Sequence, residues 1–199
     1  MIGVKLETTG INEIINTLGK YESELPACIS RAINRSLEMA KTEQIRKTME
    51  IYYVKRNKLS STINVFKSTK SSLKGEITSG GRPIGMNHFL LNPKTRPKSG
   101  RKMVTGAIKR DGIKNLPNAF IAYYSGKLGA FKRVNGFKEI QGKRKIIKRQ
   151  KIDRLRGPSA PQMLGNLSIL EYLQGYADEK FRMRLDHEID RVIGLWFLK

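Results

Sequence analysis

The chain has 199 residues, and its 39 Lys and Arg outnumber its 17 Asp and Glu, for a formal net charge of +22. No apolar run reaches the roughly 18 residues of a membrane span, and we expect no signal peptide because no apolar stretch follows a basic one near Met1. The single cysteine, Cys28, excludes an internal disulfide framework and a multi-cysteine zinc site, which suits a reducing cytoplasm.

Two helices are predicted in the first fifty residues. A short one covers 11–18 and ends at Gly19. A long one begins at Pro26, which suits the first helical position, and runs for about 20 residues to near Met49, judged by its apolar period. The residues at helical spacing are Ile29, Ala32, Ile33, Leu37 and Ala40. We interpret this stripe as core packing.

The middle of the chain is predicted to form strands. Residues 62–67 and 73–78 alternate in polarity, and the polar 68–72 links them as a hairpin. Another strand is predicted at 103–108. The most apolar strand, 119–124, is expected to be central and to pair with 130–134 across a turn at 125–129. Residues 92–102 have two prolines, five cations and no apolar residue, which predicts a mobile loop.

The last predicted element is a long helix. Ser168 and Glu171 have the spacing of a capping box, and an apolar face extends from Leu170 to Trp196. The predicted fold class is α+β, with two long amphipathic helices packed on an antiparallel β-sheet and with basic flexible loops. We expect one domain over 1–199, with helices in 1–50, a basic sheet and loops in 51–165, and a C-terminal helix in 166–199.

The positive charge is confined to the middle of the chain. Residues 1–50 have seven basic and seven acidic residues, and 166–199 sum to −1. The remaining 51–165 have 27 basic and four acidic residues, a net charge of +23. Charge of this size favours nucleic acid, an anionic surface or an acidic protein as the partner.

The titratable residues do not form a catalytic pattern. His88 has no second ligand at metal-binding spacing, and successive side chains around His187 point in different directions on a helix. Cys28 has no neighbouring His and is better interpreted as a small packed residue than as a nucleophile. The phosphate-loop pattern is missing around Gly126 and Lys127. We therefore expect no enzyme, no metal, no cofactor and no small-molecule substrate.

Two basic segments remain as the candidate interface, 92–114 and 138–156. A single basic run is usually a solvated surface, but two runs in a segment of +23 favour contact with a polyanion. The runs contain no aromatic residue, so we expect phosphate-backbone contact without sequence preference and not base stacking. The candidate contacts are Lys94, Arg96, Lys98, Arg101, Lys102, Lys109, Arg110, Lys143, Arg144, Lys145, Lys148, Arg149 and Lys151.

Four segments of the chain also resemble the phage minor tail protein Z family of tail-completion proteins. The first segment lies in the predicted long helix, Arg31-Ala-Ile-Asn-Arg35-Ser, and leads to Tyr53-Val-Lys-Arg56. The second is Ser79-Gly-Gly-Arg82-Pro83-Ile84, and the third is Ala119–Arg133. The fourth precedes the last helix and is Leu155-Arg-Gly157-Pro158-Ser-Ala-Pro161-Gln-Met163-Leu. The resemblance lies in their order along nearly the whole chain. The two basic segments, 92–115 and 136–153, correspond least to the family.

The resemblance implies a structural protein of the virion, made in the host cytoplasm and acting at the head-proximal end of a long phage tail. It implies late tail assembly and head–tail joining, a homo-oligomeric ring, by analogy a hexamer, and a lumen that holds the DNA end. The implied partners are the tail terminator, the tape measure protein and the head–tail connector, with possible nonspecific DNA contact and no membrane. No catalytic residue is implied.

Two other functions remain open at this point. A cellular, ribosome-associated type of nucleic-acid-binding protein also combines a high isoelectric point with basic loops. A metal-dependent nuclease would require the scattered acidic residues Glu76, Asp111, Glu139 and Asp153 to converge. Self-association separates the first from a tail protein, and divalent-metal-dependent cleavage would identify the second.

Overall fold

The structure, a computed structural model, describes residues 2–6, 24–98, 103–141 and 146–197. These residues divide into two compact units. The first unit consists of the described parts of 1–48, 57–81 and 160–199, and the second consists of those of 49–56 and 82–159. The prediction of one domain over 1–199 stays a prediction.

Helices and antiparallel strands together confirm the α+β class. The helices are α1 (Leu25–Ile51), α2 (Arg56–Ser60), α3 (Ala160–Leu164) and α4 (Leu167–Phe197), with a 3-10 helix at Met86–His88. The strands are β1 (Ile2–Leu6), β2 (Ile63–Phe66), β3 (Gly75–Ser79), β4 (Pro83–Gly85), β5 (Leu90–Asn92), β6 (Thr105–Ala107), β7 (Lys114–Asn115), β8 (Ala119–Tyr124), β9 (Lys127–Gln141), β10 (Ile146–Arg154) and β11 (Arg156–Ser159). Within the described residues these strands form four small antiparallel sheets, where the sequence predicted a single sheet.

Helix α1 confirms the predicted long helix and forms the core of the first unit. Ala32, Ile33 and Leu37 are fully buried along its apolar stripe. Strand β3 approaches this stripe so closely that a Cβ atom at Gly75 would overlap the Leu37 side chain and lie 2.9 Å from Ile33 Cγ2. Glycine is therefore required where the strand crosses under the helix.

The sheet of the first unit has the order β1-β3-β2, with all pairings antiparallel. The predicted hairpin of β2 and β3 is confirmed, and its connection is fastened to α1. Ser30 Oγ and Asn34 Nδ2 each donate to the Ser68 carbonyl at 3.0 Å, and Ser68 N–H donates to Asn34 Oδ1 at 2.8 Å. Strand β1 was not predicted, and the helix predicted over 11–18 lies outside the described residues.

Helix α4 confirms the predicted C-terminal helix, but its predicted cap is wrong. Ser168 is inside the helix, and Asn166 is the capping residue because its Oδ1 accepts the Ser168 N–H at 3.2 Å. Asparagine is among the strongest N-cap residues, so it starts the helix two residues before the predicted serine. Leu173, Ala177 and Leu185 are buried along the predicted face, and the helix continues through Gly175.

The second unit has three antiparallel sheets, of order β11-β4, β5-β6-β7 and β10-β9-β8. The prediction that 119–124 is the central strand is wrong, because β8 is an edge strand and β9 lies between its two neighbours. The predicted turn at 125–129 is also too long. Ser125 and Gly126 have φ values of 49° and 72°, and a two-residue turn with both φ positive is a type I′ hairpin, so β9 starts at Lys127.

The described residues of the second basic segment, for which no helix or strand was predicted, are largely a pair of strands. Residues 138–141 belong to β9 and 146–154 to β10. Residues that favour strands, Phe137, Ile140, Ile146, Ile147 and Ile152, are interspersed with the cations. These apolar residues give the segment the strand propensity that its charge obscured.

Candidate nucleic-acid interface

The second unit carries a long basic ribbon, defined here as Arg133–Gln141 of β9 together with Ile146–Ile152 of β10. The two strands are antiparallel, and the pairs run from Gln141 opposite Ile146 to Arg133 opposite Ile152. Strand β8 pairs with β9 only as far as Lys132. Beyond that residue the ribbon consists of two strands, about 20 Å long at 3.3 Å per residue.

Both faces of the basic ribbon are open to solvent. Every residue of the ribbon for which burial is described is exposed, except the half-buried Val134. Phe137, Ile146 and Ile152 are 67%, 59% and 43% exposed, which is unusual for apolar side chains of this size in a strand. An isolated two-stranded ribbon is only marginally stable in water, so these features are typical of a segment that gains contacts from a partner.

The charges of the ribbon are arranged with cations directly opposite each other. Lys138 lies opposite Arg149 in the strand register, and both are exposed on the same face. Like charges at directly opposed positions destabilise a strand pair, and an anion bound between them would remove that cost. On the other face Lys148 Nζ lies 3.5 Å from Glu139 Oε1, an exposed ion pair that contributes little to stability.

A bulge interrupts the ribbon near its base. The register shifts between Gln150, which pairs with Phe137, and Ile152, which pairs with Arg133, so three residues of β9 face Lys151 alone. Gly136 lies in this bulge with a φ of 98°, a conformation that residues with a side chain rarely adopt. Bulges increase the twist of a strand pair and turn it away from the plane of its sheet.

Aromatic residues lie beside the cations, and sequence reasoning missed them. The Phe120 and Phe131 rings are 6.0 Å apart, Tyr124 is 6.4 Å from Phe131, and the Arg133 guanidinium lies 5.8 Å from the Phe120 ring centre. Tyr124 is 67% exposed. The basic runs themselves contain no aromatic residue. Only the pairing of β8 with β9 brings the aromatic side chains next to the cation of Arg133. The alternation of Phe120, Ala122 and Tyr124 is the signal that could have indicated a shared face.

The structure separates the predicted contact residues into two groups. Lys148, Arg149 and Lys151 are exposed on the ribbon, where Arg133 and Lys138 add to the predicted set. Lys94, Arg96, Lys98, Lys109 and Arg110 are exposed on irregular segments that follow β5 and β6. The other predicted contacts lie outside the described residues, namely Arg101, Lys102, Lys143, Arg144 and Lys145.

In the first unit, by contrast, several charged groups form ion pairs with one another. Arg31 Nε donates to Glu188 Oε2 at 2.6 Å, and Arg191 Nη2 donates to the same oxygen at 3.1 Å. Burial raises the pKa of the Glu188 carboxyl, but the hydrogen bond and charge of Arg31, with a smaller contribution from Arg191, outweigh it, and the pKa lies below its usual range. Burial raises the pKa of the Cys28 thiol, which agrees with a packed residue.

The two histidines lie on different elements of the described structure. His88 belongs to the 3-10 helix and is half-buried, and His187 is exposed on α4. In the part of the chain that the structure describes, no three His, Cys, Asp or Glu residues are grouped so that they could hold a metal ion. None of the described helices is both long and apolar enough to cross a membrane.

Comparison with models of known protein families, with curated proteins and with solved structures finds no match to this chain.

Proposed function

We propose that this protein is a structural component of a phage virion, a minor tail protein that completes the head-proximal end of the tail. In this function the nearly neutral first unit contacts other protein subunits, and the basic ribbon of the second unit contacts the phosphate backbone of the DNA end. The protein acts late in tail assembly and in the joining of tail to head.

The observation that carries this proposal is the division of charge between the units. The second unit has 23 basic and four acidic residues, a net charge of +19, whereas the first has 16 and 13, a net charge of +3. A unit at +19 repels copies of itself unless an anion neutralises it. A ring of such units around DNA would be neutralised by phosphate, and this supports a lumen-facing position for the ribbon.

The shape of the ribbon supports contact with duplex DNA. The major groove is about 12 Å wide and admits a two-stranded β-ribbon. The exposed cations on both faces of the ribbon can then reach phosphates on either side of the groove. Lysine and arginine side chains that contact DNA phosphates do not distinguish one base from another. We therefore expect binding without sequence preference and with a steep dependence on salt.

The positions of the four segments that resemble the tail-completion family support the proposal, because each segment lies in a helix, a hairpin or a junction of the fold. The segment from Arg31 lies on α1, and the segment around Arg82 joins β3 to β4. Ala119–Arg133 forms the β8–β9 hairpin, and the segment around Pro158 leads from β11 through α3 to α4. Each segment is therefore a junction or a core element of the fold, where a family pattern is expected to persist.

The DNA contact is tested with the triple variant Lys148→Gln, Arg149→Gln and Lys151→Gln. If all three side chains contact phosphate, the slope of log K against log salt falls by about 2.7, since each contact contributes about 0.9. The matched control removes three exposed cations from the first unit, Lys70→Gln, Lys74→Gln and Arg182→Gln, and should leave the slope unchanged. Equal slopes for both variants and the natural protein would refute DNA contact by the ribbon.

The assembly role is tested by electron microscopy of purified tails and by sedimentation of the isolated chain. We expect a ring at the head-proximal end, in contact with the tail terminator, the tape measure protein or the head–tail connector, with six copies matching a sixfold tail tube. A chain that stays monomeric and binds structured RNA at one to one would instead support the cellular nucleic-acid-binding alternative.

A further inference from the structure

The second unit contains a cavity that the proposed function does not use. Its volume is about 450 Å³, and its walls come from the segment after α1, the 3-10 helix with β5, and single residues near β6 and β9. The volume lies in the range of about 300–1,000 Å³ that is typical of small-molecule sites.

The mouth of the cavity is positively charged. Lys55, Lys94 and Arg110 line it and are exposed, and no acidic residue lines it among the described residues. Three cations around one cavity repel each other unless an anion is bound between them. Lys94 and Arg110 are predicted polyanion contacts, and the fold adds Lys55 to them from a distant part of the sequence.

Arg110 is held in a fixed position at this mouth. Its Nε donates to the Met49 carbonyl at 2.9 Å, its guanidinium lies 4.8 Å from the centre of the Tyr53 ring, and its backbone N–H donates to the Ile51 carbonyl at 2.9 Å. These contacts leave the two Nη groups without a hydrogen-bond partner among the described residues. A guanidinium oriented in this way binds a phosphate through two hydrogen bonds at little entropic cost.

The floor of the cavity is apolar, and two uncharged polar side chains, Asn87 and His88, line the cavity beside it. Val54, Phe89 and Leu91 are buried and line it. Asn87 also lines it, and its Oδ1 accepts a hydrogen bond from Arg154 Nη2 at 3.0 Å, which leaves the amide protons for another acceptor. An apolar floor beside the amide of Asn87 and the imidazole of His88 is suited to a flat heterocycle, whereas inorganic phosphate would use only the charged mouth.

We infer that this cavity binds a nucleoside monophosphate, with the phosphate at Lys55, Lys94 and Arg110 and the base against the apolar floor. The ligand is either a free nucleotide or one unpaired nucleotide of a nucleic-acid strand, since both present the same chemistry. The cavity shares no residue with the basic ribbon, so this inference holds or fails independently of duplex binding by the ribbon.

The test measures the binding of deoxyadenosine 5′-monophosphate to the full chain by calorimetry. The variant Lys55→Gln with Lys94→Gln should weaken binding at least tenfold, as expected for the loss of two charged hydrogen bonds. The matched control, Lys114→Gln with Lys132→Gln, removes two exposed lysines of the same unit that do not line the cavity and are not predicted polyanion contacts, and it should bind as the natural protein does. Deoxyribose 5-phosphate, which lacks the base, should bind more weakly than the nucleotide.

A single-stranded oligonucleotide distinguishes the two sources of the ligand. If the cavity takes a nucleotide of a strand, the Lys55 and Lys94 variant also weakens oligonucleotide binding; if only the free nucleotide responds, the ligand is the free species. Both results support the site. The inference is overturned if the nucleotide does not bind, if both lysine variants lose the same affinity, or if deoxyribose 5-phosphate binds as tightly as the nucleotide.

Discussion

The two units of this chain use their charged residues in opposite ways. In the first unit arginines and glutamates of α1 and α4 form hydrogen-bonded ion pairs beside a buried apolar stripe, as in Arg31 with Glu188 and Arg46 with Glu43. In the second unit the cations of the ribbon are exposed, and Lys138 lies opposite Arg149 with no carboxylate between them in the strand register.

Because of this difference, we expect the charged residues of the first unit to stabilise its fold and the cations of the ribbon to bind a partner. The first unit buries the apolar stripe of its long helix α1 and pairs several of its charged side chains with one another, and both features stabilise its folded state. The ribbon buries little, and apart from the exposed pair of Lys148 with Glu139 its described cations have no carboxylate opposite them in the strand register, which costs stability until an anion binds. The first unit is thus expected to respond to core substitutions, and the ribbon to substitutions that change charge.

The largest expected effect is on the core of the first unit. Leu37→Ala should lower the free energy of unfolding by about 2–5 kcal/mol, because it removes a fully buried side chain and leaves a cavity. Phe137→Ala in the ribbon is the comparison, and it should change the value by no more than about 0.5 kcal/mol because the ring is 67% exposed. Urea unfolding measures both. A large loss for Phe137→Ala would mean that the ring is buried in the folded protein.

An intermediate effect is expected from pH. The hydrogen bond from Arg46, against an opposing effect of burial, lowers the pKa of Glu43 with help from Tyr172, and the pKa of Glu188 is also lowered. A carboxyl whose pKa is lower in the folded than in the unfolded state stabilises the fold above the unfolded value, about 4.3 for glutamate. That stabilisation is lost as the pH falls through the folded-state pKa.

We therefore expect the urea midpoint of the natural protein to fall as the pH is lowered below about 4.3. Glu43→Gln with Glu188→Gln should be less stable at neutral pH and should have a flatter pH profile in that range. The control, Glu171→Gln with Asp178→Asn, changes two exposed carboxylates on α4 and should keep the natural slope. Parallel profiles for all three proteins would contradict the role of these ion pairs.

The smallest expected effect tests the ribbon itself. Lys138→Glu replaces a like-charge pair with an attractive one, so the ribbon should gain about 0.2–1 kcal/mol, measured as slower amide hydrogen exchange in 146–152. The same variant should bind DNA more weakly. Lys98→Glu makes the same charge change on an exposed residue outside the ribbon and should not slow exchange there. If Lys138→Glu stabilised the ribbon and kept its DNA affinity, this face of the ribbon would not be the contact surface.

Part of the candidate interface followed from the sequence. The count of cations by segment and the two basic runs identified Lys148, Arg149 and Lys151 as contact candidates, and all three are exposed. The partners across the ribbon could not be predicted, because their pairing depends on the bulge at Gly136, which shifts the register of β9 against β10. The cavity was missed because Lys55 and Arg110 come together only through the backbone contacts that follow α1.

The sequence by itself determined the two long helices and the confinement of positive charge to the middle of the chain. Helical periodicity is a local property, and the charge of a segment does not depend on how it folds. Only the tertiary structure decided that the second basic segment is a ribbon, that Tyr124 and Phe120 lie beside Arg133, and that Asn166 caps α4. The ribbon and the aromatic contacts depend on residues that are distant in sequence, and the cap depends on competition between neighbouring capping residues. The periodicity of apolar residues along the chain carries no information on either.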